Sequence, residues 1–144
     1  MSAEQNKALV RRFFEEIMNG NNLSLIDEIV APDFVEHEAM PGAASGREGF
    51  RQTSIMFRSA FPDLKATIND MIAEGDKVAM SVTFSGTHKG EFMGMAPTGK
   101  RFSMNAHDIM RIENGKLKEH WGVTDMMGMM QQLGAIPAPG EGGE

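Results

Sequence analysis

The chain has 144 residues, 41% of them apolar and 24% charged, which fits one domain with a real core and leaves no room for two. Its net charge of −6 argues against nucleic acid as a partner, and the lack of cysteine excludes disulfides, thiolate metal sites and a cysteine nucleophile. No run approaches the roughly 20 apolar residues of a membrane span. The polar start Met-Ser-Ala-Glu-Gln predicts no signal peptide, so no membrane contact and a cytoplasmic location are expected.

Ser2 with Gln5 three residues on forms a capping box at a helix start. Leu9, Val10, Phe13, Phe14 and Ile17 then recur at helical spacing, and Asn19-Gly20 ends that helix. A short second helix is predicted from about Leu23 to Val30, stopped by Pro32, with Asp33 to His37 extended. After a Pro41-Gly42 to Gly46 loop, Glu48 to Ala60 reads as a third helix, closed by Phe61-Pro62-Asp63. From Leu64 the apolar period changes to two, giving strands to about Glu74 and from Lys77 to Thr87 around a Gly75-Asp76 turn. His88 to Ala96 is a loop. Phe102 to Glu113 and Lys116 to Thr124 form a hairpin on Asn114-Gly115, two residues that both tolerate the positive φ of a type I′ turn. A Met-rich helix follows from about Met126 to Leu133.

Three helices and then four long strands predict an α+β domain, its helices packed on one face of a strongly curved antiparallel sheet that encloses one pocket. The domain is expected to span 1–134, with 135–144 a disordered tail. Such a pocket suits a small hydrophobic molecule.

Alternation along the penultimate strand puts Phe102, Met104, Ala106, Asp108, Met110 and Ile112 on one apolar face. A carboxylate among Met and Phe is expensive to bury, which makes Asp108 a candidate general base or acid. On the last strand neither face is cleanly apolar, so pattern alone does not orient it. His120 there suits proton transfer. Asp125 stands where it could cap the last helix or reach the pocket. Glu36, His37 and Glu38 crowd together before a loop, and with His88 they offer metal-ligand types. Their spacing matches no strong ligand pattern, so no metal is expected.

Several segments carry a resemblance across nearly the whole chain. They are Pro32-Asp33-Phe34, Phe61-Pro62-Asp63, Glu74-Gly75-Asp76-Lys77-Val78-Ala79 and Gly86-Thr87-His88-Lys89-Gly90-Glu91-Phe92. Pro97-Thr98-Gly99-Lys100-Arg101, Arg111-Ile112-Glu113-Asn114-Gly115-Lys116, Glu119-His120-Trp121 and Gln131-Gln132-Leu133-Gly134 continue the series. The chain resembles the nuclear-transport-factor-2-like (cystatin-like) superfamily, and within it the SnoaL-like polyketide cyclases and their predicted ester cyclase relatives. That resemblance implies a cofactor-independent aldol-type ring closure on a hydrophobic carbonyl or ester compound, and a homodimer. It places the family's principal acid–base aspartate at Gly122, so that carboxylate is missing here. The family's pocket histidine falls at Asp108, a second family histidine matches His120, and a pocket asparagine falls at Glu36.

The expected roles are Asp108 as base and His120 as its orienting or relaying partner, with Glu36, His37, His88, Met104, Met110 and Asp125 around the substrate. A non-catalytic binding protein and a hydratase or hydroxylase are the alternative readings.

Overall fold

The computed structural model describes residues 2–39 and 42–136. Helix α1 (Ala3–Arg12) starts on the predicted capping box: Gln5 N–H donates to Ser2 Oγ at 3.1 Å, and Ser2 N–H donates to Gln5 Oε1 at 2.8 Å. It runs on without a break as a π-helix over Phe13–Asn19. The wider turn lets Phe13, Phe14 and Ile17 all bury to 3% exposure or less. A 3₁₀ turn at Leu23–Leu25 leads into the single-turn helix α2 (Ile26–Ile29), and helix α3 covers Gly46–Ala60. Helix α4 (Met126–Leu133) packs across the sheet and ends on Gly134 at φ 84°.

Five strands form one sheet in the order β1-β5-β4-β3-β2: β1 Val30–Glu36, β2 Lys65–Glu74, β3 Lys77–Thr87, β4 Arg101–Glu113 and β5 Lys116–Thr124. The sheet corrects two expectations. Pro32 does not separate helix from strand but lies inside β1, which begins at Val30. Proline is tolerated there because β1 is an edge strand whose pairing is interrupted between Val30 and Val35. The sheet is also not wholly antiparallel, since β1 runs parallel to β5. The β4–β5 hairpin turns as expected, with Asn114 at φ 52° and Gly115 at φ 74°.

Burial along β4 alternates without a lapse from Arg101 to Met110. Its inward residues serve two apolar clusters. Met110 and Ile112 join one with Val10, Phe13, Phe14, Ile17 and the inner faces of β2 and β3. Phe102 and Met104 join the other with Phe61, Phe92, Met129 and Leu133. Asp108 sits on β4 between the two. No helix among the described residues is long and apolar enough to cross a membrane. A cleft of about 360 Å³ opens beside the two hairpin turns, lined by Asn6, Gly75, Asp76, Ile112, Asn114 and Gly115, and none of the candidate acid–base groups lines it. The expected tail lies outside the described residues apart from Ala135 and Ile136.

Candidate active site

A β-bulge explains why the last strand resisted orientation. Arg111 stands opposite Glu119 but Ile112 stands opposite Leu117, so Lys118 is an extra residue on β5. One inserted residue shifts the side-chain phase of the strand. Leu117 therefore buries at 1% exposure, and after the bulge His120 and Gly122 turn to the same inner face.

His120 there meets two carboxylates. Its Nε2 lies 2.8 Å from Asp108 Oδ1 on the neighbouring strand, and its Nδ1 lies 2.5 Å from Glu36 Oε2 on β1. Parallel pairing of β1 with β5 sets Glu36 directly beside His120. Asp108 is 6% exposed and the His120 side chain 12%. Burial by itself would lower the His120 pKa, but the hydrogen bonds to Asp108 and Glu36, and their charges, outweigh it and raise it to about 9. Near neutral pH the ring is thus an imidazolium that donates both N–H groups.

The raised value has a consequence for stability. The folded protein holds a proton that the unfolded chain releases near the ordinary value of 6.5. The stabilisation is complete below about pH 6.5 and is lost as the pH climbs through about 9. Its full size is about 3 kcal/mol, at roughly 1.4 kcal/mol per pH unit between the two values. Urea unfolding at pH 6 and pH 9.5 is expected to show this fall, and His120→Gln is expected to remove most of it. A flat profile for the wild type would mean that His120 is not held as an imidazolium.

Glu38 completes the group. β1 ends at Glu36, and the turn over His37 and Glu38 brings the Glu38 carboxylate back beside Asp108 and His120. Glu38 N–H donates to Glu36 Oε2 at 3.1 Å, which ties the start of the loop to the His120 bond. The ligand atoms of Glu38, Asp108 and His120 lie within 4.8 Å of one another, the one grouping of this kind found among the described residues. Two carboxylates and an imidazole suit a divalent metal in donor type, although His120 Nε2 is engaged with Asp108. Gly122 is what lets them converge. A Cβ there would run into Asp108 Oδ1 and come within 2.9 Å of Glu38 Oε2 and 3.0 Å of His120 Cε1.

The remaining candidates divide. Met110, at 5% exposure, pairs across strands with His120, and Met104, at 7%, faces inward two rows along β4. Two expectations are corrected. His37 does not face the site: its ring stacks on Trp121 at 5.0 Å between centroids on the outer side of the sheet, where Nε2 lies 2.5 Å from Glu119 Oε2. The turn that follows β1, with the stack on Trp121, holds it there. His88 is fully buried in the second apolar cluster, packed on Phe61, with Nδ1 accepting from Thr98 N–H at 3.2 Å. Its backbone pairs with Gly99 and Lys100, so it anchors the 88–100 loop and not the mouth of a pocket. Asp125 caps α4, accepting from Gly128 N–H at 2.9 Å. The sequence reading left Glu38 out of the acid–base set, although its spacing from Glu36 was the available signal.

Comparison with known proteins agrees with this arrangement of strands. The chain is 31% identical over 112 residues to the nogalonic acid methyl ester cyclase of Streptomyces nogalater, covering 76% of this chain and 83% of that one. It is 31% identical over 135 residues to an aklanonic acid methyl ester cyclase of Streptomyces sp. (strain C5), covering 88% and 80%. The solved structure of TsrD from Streptomyces laurentii superposes with a TM-score of 0.86 at 31% identity, covering 94% of this chain and 99% of that one. The sequence profile of the SnoaL-like polyketide cyclases matches residues 8–133. This chain belongs to the SnoaL-like polyketide cyclase family.

Proposed function

We propose that the protein is a cofactor-independent cyclase that closes a ring on a hydrophobic carbonyl or ester substrate by aldol-type chemistry, using Asp108 and His120. The observation that carries this reading is a nearly buried carboxylate, Asp108, held on an imidazolium between two apolar clusters. Asp108 takes the proton α to a carbonyl, and the fixed positive charge of His120 offsets the negative charge that develops as the enolate forms. Glu36 positions the ring, Met104 and Met110 supply apolar lining, and Asp125 holds α4 in place at the rim. The reaction moves a proton from carbon to oxygen and forms a C–C bond with no change in overall oxidation state, so acid–base groups suffice.

The test is turnover of aklanonic acid methyl ester, nogalonic acid methyl ester and smaller aromatic β-keto methyl esters, with ring closure followed by absorbance and mass. Closure above the buffer rate is expected for at least one of them. Tight binding with no closure of any would replace the enzyme by a binding protein.

The same reading extends to the rest of the molecule. The single domain ends near residue 134, and the protein works in the cytoplasm. It forms a homodimer through the outer sheet face, where Ile72, Ile109 and Val123 are 67%, 41% and 75% exposed. Sedimentation is expected to give a dimer for the wild type and a monomer for Ile109→Lys/Val123→Lys.

A further inference from the structure

Ring closure requires the proton to leave a carbon and arrive on an oxygen, two sites that one carboxyl group fixed by a hydrogen bond serves poorly. Asp108 is fixed in this way, because its Oδ1 is taken by His120 Nε2 at 2.8 Å. The side chain of Glu38 is held by no such bond among the described residues, while its backbone N–H is tied to Glu36. Its oxygen and that of Asp108 lie within 4.8 Å of each other, a gap that a side-chain rotation or one water closes. They can approach because position 122 has no side chain between them.

We propose that Glu38 is a second catalytic residue, which carries the proton from Asp108 to the oxygen of the new alcohol; this rests on the cyclase reading of the site. In the first half, Asp108 takes the α-proton and the C–H electron pair becomes the enolate. The enolate carbon attacks the second carbonyl, whose π pair moves onto oxygen. Asp108 passes its proton to Glu38, and Glu38 delivers it to that oxygen. One C–H bond and one C=O π bond are exchanged for one C–C and one O–H bond, and both carboxylates return to their starting state.

Three proteins separate the steps: wild type, Glu38→Gln and Asp108→Asn, each assayed in D₂O with aklanonic acid methyl ester, nogalonic acid methyl ester and the smaller aromatic β-keto methyl esters. Enzyme-dependent exchange of the α-proton above the buffer rate and ring closure are read by mass. In Glu38→Gln, closure is expected to fall at least about a hundredfold with KM little changed, while exchange persists. Glu38→Asp is expected to recover part of the closure. Asp108→Asn is expected to lose both.

Folding is checked by circular dichroism and thermal unfolding, which are expected to match the wild type in Glu38→Gln because neither His120 ring nitrogen is bonded by Glu38. Wild-type closure in Glu38→Gln would overturn the proposal. So would loss of exchange together with closure, since Glu38 would then be the base itself. A wild type that neither exchanges nor closes any of these esters would overturn the cyclase reading and the relay with it, an outcome distinct from the other two.

Discussion

Asp108→Asn is expected to lower ring closure by at least about a hundredfold and as much as ten-thousandfold, the usual scale for loss of a general base. The substitution is nearly isosteric, and the asparagine Oδ1 still accepts from His120 Nε2, now 2.8 Å from the aspartate oxygen. The fold, the apolar clusters on either side and the binding of substrate therefore persist, so the loss should fall on kcat more than on KM. A second signature comes from the imidazole. Asp108 is one of the two partners that raise the His120 pKa to about 9. Replacing its charge by a neutral amide should lower that value, measurable by NMR titration of the ring. Equal closure by mutant and wild type would remove Asp108 from the chemistry. A large loss of kcat without a change at His120 would place Asp108 in catalysis but separate it from the ring.

His120→Phe is expected to destabilise the protein by about 3–5 kcal/mol at pH 7, because it leaves two carboxylates without the cation between them. Asp108 is 6% exposed and the Glu36 side chain 31%, so water replaces the lost donors poorly at Asp108 and only in part at Glu36. For a chain of this length that cost lowers the melting temperature by roughly 10 °C or more. The effect has a sign in pH. The wild type itself loses the cation as the pH rises through about 9, so the difference between mutant and wild type should narrow at alkaline pH. His120→Phe/Asp108→Leu removes one stranded charge and is expected to recover part of the loss. A melting temperature unchanged by His120→Phe would mean that solvent reaches Asp108 freely, and the pairing with His120 would then carry little of the fold.

Much of the site was legible from residue order alone. The alternation from Phe102 to Ile112 named the buried face of β4, and with it Asp108, because side chains on a strand repeat every two residues whatever they pack against. Asn114-Gly115 fixed the hairpin, since its backbone preference is local. The capping box at Ser2 and the cap at Asp125 are local in the same sense. The resemblance in the motifs supplied the family.

What the chain order could not supply was register between distant segments. The bulge at Lys118 turns Leu117 and His120 to the same face, and it exists only as a mismatch between β4 and β5. The parallel pairing of β1 with β5 sets Glu36 against His120 across 84 residues of chain. The close approach of Glu38 and Asp108 over Gly122 is a property of β4, β5 and the turn after β1 together. His37 and His88 show the converse. Their chemistry suited a site, but a stack on Trp121 holds one on the outer face and an aromatic core holds the other. Local periodicity determined which residues would be buried; long-range pairing, which no single stretch encodes, decided which of them would meet.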